Sequence, residues 1–477
     1  METIIQQITV EFVKKFLEHF KQQGIYDLGK MTSDGLAMSK ELTKELITAF
    51  IEQADKALVE AKEERKKDGI TIHQRTVDRS LYTALGEFSF QRTYFHTPEE
   101  PSFLLDHILG IVPYDRVDKS ISAKMVNEAA EGSFGKSARH VTEGDISRQT
   151  AWRKTAQTGE VVILPSREKE TPKILHIFAD EDHVHLQNGK SDILPFITIC
   201  KGKRPVCKGR NELLDPIHIN GYGLKSEKLW EYAYGVCAAK YDMAQVEKIY
   251  LYGDGALWIG SSRLCFPNAV HIMDHYHFQQ KMKILTAGET CATYRNKLKR
   301  AVRKNKKSTF QIEMLKMCED VMEAMPKGKQ RKNKVEALVK AGTYLLNHWK
   351  AVQNMKRPDS IGSCTEALVS HIFSERFSRN PMGWSKKGLE TLSRIRVFIK
   401  NGGKILPIDI GKDKQDARDR VRRKLQVGKY EALVKQQQEE ILSGAEHWRW
   451  FEHEPLTVSP SGTKVLLDSL GKRRRIA

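Results

Sequence analysis

Between residues 174 and 285 the chain reads strand, strand, strand, helix, strand, helix, strand, and this order limits the fold more than any other feature. "ILHIFADEDHVHLQ" (174–187) alternates as a strand, and "NGKS" carries a hairpin signal at Asn188-Gly189. "DILPFITICKG" is the returning strand and "PIHINGY" a third. "SEKLWEYAYGVCAAKYD" then has helical spacing, "VEKIYLYGDGALWIG" is an apolar strand ending in Asp254, and "NAVHIMDHYHFQQKM" is a strand running into a helix. A meander that passes into alternating units predicts an α/β class, with a mixed sheet and helices on its faces.

The first strand is odd at its middle, where Asp180, Glu181, Asp182, His183 and His185 interrupt an apolar run. Two readings compete: a metal site, or a wet sheet edge. Alternation puts Asp180 and Asp182 on one face and Glu181 on the other, so a single acid of that face is enough for metal; Asp182 is expected beside the site, and its duller role is a solvated carboxylate near the hairpin. The two histidines lack a third zinc ligand nearby and are expected on the strand surface. Asp254 lies at the carboxyl end of the fourth strand, although "GDG" by itself is an ordinary turn. Ligands of open α/β sheets gather at strand ends, so Asp180 and Asp254 are expected to share a crevice. A third carboxylate from a later helix would complete a site for two hard cations, Mg2+ or Mn2+, which prefer oxygen ligands.

Around this core the chain divides by composition. Residues 1–66 carry helical periodicity, 67–117 contain the hairpin "VDRSLYTALGEFSFQRTYF" with Phe88, Phe90, Arg92 and Tyr94 on one face, and 118–157 turn helical again. "SFGKSARHVTEGDISRQTAWRKTAQ" has the proportions of a helix-turn-helix, with Glu143-Gly144-Asp145 as the turn and a second helix beginning near Ile146 or Ser147. On that reading Ser147, Arg148, Gln149, Arg153 and Lys154 face a major groove, where Arg and Gln read purine edges. Short helical hairpins are common, so the pattern alone does not single out DNA reading. The polar stretch 158–172 is a linker, 173–285 the first part of the sheet-bearing core, 286–358 a basic helical insertion, 359–400 the last part of that core with helices on both sides of Asn380-Pro381, and 401–477 a charged helical tail ending in "KRRRIA".

The formal net charge of +19 is concentrated. Residues 281–360 hold 20 Lys/Arg against 7 Asp/Glu, a net +13. Clustered cations gain free energy by releasing counterions from nucleic acid, so a polyanion partner is expected; a solvated lysine-rich face is the duller alternative. Seven scattered cysteines with no Cys-x-x-Cys pair argue against a disulfide framework and a cysteine zinc finger. No stretch reaches the roughly 18 apolar residues of a membrane span, and the amino end reads as an amphipathic helix and not a signal peptide, which places the protein in the cytoplasm, with the nucleoid.

Several motifs resemble those of the ISLre-type insertion-sequence transposases, a group that takes in chains known only as an uncharacterised protein family, and through them the wider DDE transposases with an RNase H-like core. They are "LYTALGEFSFQRTYF", "LLDHILGIVP", "ISRQTAWR", "ADEDHVHLQ", "YLYGDGALWI", "MDHYHF" and "GSCTEALVSHIFSERFSRNPMGWSKKGL", in that order over most of the chain. The resemblance implies an RNase H-like fold, Asp180 and Asp254 as the first and second catalytic acids, and Glu366 as the third. It also implies that "DHYH" is the Asp-x-x-His element after the second acid, giving Asp274 and His277. One departure is Ala367, where the pattern has Gly. Glu375 competes with Glu366, but nine residues put it roughly 13 Å along a helix axis, so one site cannot use both; an ion pair with Arg376 or Arg379 is its duller role.

The expected function is therefore a DNA transposase that binds terminal inverted repeats, cuts at the ends by metal-assisted hydrolysis and joins the freed 3′-hydroxyl to target DNA. Synapsis of two ends implies a homo-oligomer, and no membrane is involved. Two alternatives stand beside it: an RNase H-like nuclease, and a repeat-binding DNA-binding protein without catalysis.

Overall fold

A computed structural model describes residues 2–24, 27–161, 168–380 and 382–445. Part of the linker 158–172, Pro381 of the Asn380-Pro381 pair and the "KRRRIA" end of the tail lie outside the described residues. The described residues form two compact units, one within 2–118 and 413–445, the other within 119–412.

In the first unit, helices Glu2–Gln23 and Leu28–Glu60 precede an antiparallel hairpin of β1 (Thr71–Thr83) and β2 (Gly86–His96). Phe88, Phe90 and Arg92 are buried, as alternation requires. The pattern then changes side: Thr93 and Phe95 are buried while Tyr94 is not, beside register shifts between Ile72 and Val77 in β1. An extra residue in one strand twists the ribbon and re-aims the side chains that follow. Helix Val427–Ala445 joins this core through Val427, Tyr430 and Val434, which pack with Ile51, Leu58, Phe95 and Leu104.

The second unit is built on a mixed sheet. Its strands are β3 (Ile174–His185), β4 (Ser191–Cys200), a small separate hairpin of β5 (Lys203–Cys207) and β6 (Arg210–Leu213), β7 (Ile217–Asn220), β8 (Lys248–Gly253) and β9 (Val270–Met273). The five-stranded order is β7-β4-β3-β8-β9. The β4 pairings to β3 and β7 are antiparallel, and those of β8 to β3 and β9 are parallel. The β5–β6 hairpin has no counterpart in the sequence reading, because its strands are short and exposed and carry no apolar alternation.

Alternation along β3 sorts the two faces. Leu175, Ile177 and Ala179 pack with Leu229, Trp230 and Cys237 of helix Ser226–Lys240. Phe178 packs with Tyr250, Tyr252 and Ile272 on the other face, against Leu368 of helix Thr365–Val369. Asp180, Asp182 and Val184 share the parity of Phe178 and so face that helix. The helix continues through a π-helical turn, Ser370–Ser374, into Glu375–Phe377. Beneath the turn lies the fully buried Arg396, from helix Lys386–Lys400, whose guanidinium donates to the carbonyls of His371, Ile372 and Ala130 and to Glu131. The basic segment forms helices Glu289–Thr293, Arg295–Arg303, Lys307–Ala324, Lys329–Asn347 and Trp349–Asn354 around its own core of Leu298, Phe310, Met317, Leu338 and Leu345. Among the described residues no helix is long and apolar enough to cross a membrane.

Candidate active site

The parallel pairing of β3 with β8 fixes the two aspartates. Its register ends at Phe178 opposite Tyr252, and two residues further along each strand lie Asp180 and Asp254. The acids therefore stand at the same level at the mouth of neighbouring parallel strands. Gly253 is needed there, because a Cβ would come within 3.0 Å of the Ala179 carbonyl oxygen. Beyond β8 the Asp254 carboxylate accepts the Ala256 N–H at 2.8 Å, which closes an Asx turn, and Gly255 takes a φ of +85° that other residues disfavour.

Asp180 is 7% exposed and accepts the Glu181 N–H at 2.9 Å. Burial raises its carboxyl well above the usual range, and the charges of Asp254 and Asp274 push it further, against the pull of His277. Excess negative charge held in a half-enclosed position is what a cation would relieve.

Asp274 and His277 form the third corner. Asp274 caps the helix His275–Leu285: its Oδ1 accepts the His277 N–H at 3.0 Å and lies 3.1 Å from the His277 Nδ1. Its Oδ2 accepts the hydroxyls of Ser363 and Thr365. Burial alone would raise the Asp274 carboxyl, but these bonds hold it far below the carboxylate range. His277 is raised in turn, first by its bond to Asp274 and then, against the opposing effect of its own burial, by the charges of Asp180, Asp274 and Asp254. Asp274 is thus spent on fixing an imidazole and a loop, and its bond together with the neighbouring carboxylates favours the protonated form of His277.

Glu366 stands apart from this cluster. It is exposed in the first turn of helix Thr365–Val369 and lines a cleft of about 630 Å³ with Asp274, Tyr276, Gln279, Ser363 and His371. Glu375 pairs with His371 at 3.0 Å and with Arg379 at 3.8 Å. Arg376, the other partner expected of it, is buried and lies over the ring of Trp384 at 4.8 Å. Among the described residues no group of three His, Cys, Asp or Glu side chains is arranged to hold a metal ion. Asp180 and Asp254 fit a hard divalent ion by the chemistry of their oxygens; the structure supplies this pair and not a converged trio.

Two expectations are corrected. Asp182 is not solvated: it is 7% exposed, and its Oδ1 accepts the Ser378 hydroxyl at 2.9 Å. The strand passes beneath the helix 365–377 before it reaches the hairpin, and that helix covers the face Asp182 shares with Asp180. Lys154 is not a groove-facing residue either, being 4% exposed. It lies on the buried side of helix Arg148–Ala156 with Ala151 and Thr155. The rest of that region is placed outward: Ser147 caps the helix by accepting the Thr150 N–H at 3.3 Å, and Arg148, Gln149 and Arg153 are exposed. The preceding turn has Glu143 at φ 55° and Gly144 at φ +106°.

Glu181, on the opposite face of β3, accepts the Trp258 indole N–H at 2.7 Å, and His183 lies 3.8 Å from it in solvent. Ser363, Thr365, Tyr344 and His348 belong to the site and were not singled out in the sequence. The two hydroxyls lie one and three residues before Glu366 and were within reach of a motif argument. Tyr344 and His348 come from the insertion, and nothing local marks them.

The sequence model of a family described as Uncharacterised protein family (UPF0236) matches residues 27–414. A UPF0236 protein of Caldanaerobacter subterraneus subsp. tengcongensis is 30% identical over 448 residues, 92% of this chain and 91% of that protein. Another from the same organism is 31% identical over 451 residues, again 92% and 91%, and a Streptococcus gallolyticus UPF0236 protein is 23% identical over 394 residues, 79% and 83%. Among solved structures, the Drosophila P element transposase strand transfer complex aligns with a TM-score of 0.21 and 9% identity over 61% of this chain and 83% of that one, too slight a likeness to carry an argument.

Proposed function

The chain belongs to the uncharacterised protein family UPF0236, and we propose that it is a DNA transposase of the DDE type with an RNase H-like core. The observation that carries this reading is the register that brings Asp180 and Asp254 to the same level of two parallel strands, with His277, bonded to Asp274, near enough for its charge to act on Asp180. The sheet order, with an antiparallel meander on one side of β3 and parallel strands on the other, is the order an RNase H-like core calls for. The name of one UPF0236 relative joins eleven locus designations from a single organism. One protein at many loci is the expected trace of an element that copies itself.

In this reading Asp180 and Asp254 hold Mg2+ or Mn2+, with Glu366 as the third acid. Such ions supply an activated water or 3′-hydroxyl and stabilise the leaving oxygen of the phosphodiester. The protein's own groups do the rest. Burial and hydrogen bonds fix the acids before substrate arrives. Asp274 orients the His277 ring through Nδ1 and favours its protonated form. Exposed Arg148, Gln149 and Arg153 contact the terminal repeats, and the cations of 281–360 contact phosphate.

The test is purified protein with Mg2+ and a duplex carrying the ends of its own element. Strand cleavage at the end and joining to a second duplex are expected, both abolished by Asp254→Ala and by Asp180→Ala. Cleavage retained in Asp254→Ala would sink the site assignment, and equal cleavage of duplexes without those ends would favour the nuclease.

A further inference from the structure

Tyr344 lies in helix Lys329–Asn347 of the basic insertion, ninety residues beyond Asp254, yet its side chain ends at the acid's own backbone. The phenol donates to the Asp254 carbonyl oxygen and touches the Met273 sulfur at 3.6 Å. One helical turn on, the His348 ring packs 4.9 Å from that of Tyr344 and fills the space a Cβ on Gly255 would need. The next strand end is held as well: His271 lies with Nε2 3.2 Å from the Gly253 carbonyl, and Asn354 donates to the His271 carbonyl at 2.8 Å. The Asx turn at Asp254 is thus clasped by insertion side chains, and a carbonyl leaving β8 has its acceptor capacity filled from outside the sheet.

We propose that Tyr344 is a positioning residue for Asp254, so that the basic insertion is part of the active site and not only a surface for phosphate. The inference deepens the transposase reading and rests on it for the role of Asp254. The hydroxyl, not the ring, is the working part: the ring also packs on the insertion's core, and Phe keeps that packing.

The experiment compares Tyr344→Phe in the full chain with Tyr294→Phe, which removes a hydroxyl bond of the same kind to Asp320 within the insertion (2.6 Å). Mn2+ affinity is measured by calorimetry, and amide hydrogen exchange is followed across residues 253–257. Loss of an outer partner of a metal ligand weakens binding about ten-fold at the low end; that weakening and a comparable acceleration of exchange are expected for Tyr344→Phe alone, with melting temperature and duplex affinity as in the parent. Parent-like affinity and exchange in Tyr344→Phe, or the same losses in Tyr294→Phe, overturn the proposal. If the parent itself binds no Mn2+, the metal-site reading fails, and the exchange measurement still decides whether Tyr344 holds the turn.

Discussion

His176 and His218 each meet a hydroxyl inside the sheet: Tyr252 Oη lies 3.0 Å from one ring, and Thr198 Oγ1 lies 2.9 Å from the other. Burial lowers both imidazoles to about 4, against about 6.5 in an unfolded chain. Between those values the unfolded state binds more protons, so the stability these residues contribute is complete above about pH 6.5 and is lost as pH falls towards 4. His107, His271 and His348 are lowered in the same direction by burial. Melting temperature should therefore drop between pH 7 and pH 5, and His218→Gln should narrow that drop; an equal drop in the variant refutes the assignment. At this scale the sequence was legible where a residue's place depends on its strand. That Asp180 and Asp254 come near each other followed from strand order and strand ends. It was not legible where the role depends on what lies above the strand: whether Asp182 is wet or buried is decided by a helix nearly 200 residues away.

The helix Arg148–Ala156 shows the same division one level up. Ser147 before it and the left-handed Glu143-Gly144 turn mark its start in the sequence, because capping and positive φ have local signatures. Which of its faces is free has no such signature, and Lys154 was misassigned on that account. The structure turns this into a contrast: replacing both Arg148 and Gln149 with Ala should weaken binding to the terminal repeats by about 1–3 kcal/mol and relax base preference. Lys154→Met should leave base preference unchanged. Competition binding against repeat-end and scrambled duplexes measures both, and loss of preference in Lys154→Met would mean that the helix presents another face. The insertion is a harder case still. Its helices and charge were readable from composition, but the Tyr344 clasp joins residues whose patterns are independent, so only packing reveals it.

At the scale of the whole molecule, each unit has a hydrophobic core of its own among the described residues. Ile51, Leu58, Phe88, Phe95 and Leu104 share one core with Leu425, Val427, Tyr430 and Val434, whereas the sheet and the insertion are cored by residues between 119 and 412. Separate cores are what allow separate folding. The first unit is discontinuous in sequence, which no local pattern in a charged segment such as 412–445 announces; Tyr430 takes its place there by bonding Asp68 at 2.6 Å and packing beside Phe95 and Leu58. Calorimetry of the full chain should accordingly show two transitions, not the single one of a cooperative domain. Truncation after residue 412 removes four core side chains of the first unit, each worth about 1.5–3 kcal/mol when fully buried, more than a small domain's usual margin. One transition should vanish and the other keep its temperature. Loss of both in the truncated chain would show that the units unfold together.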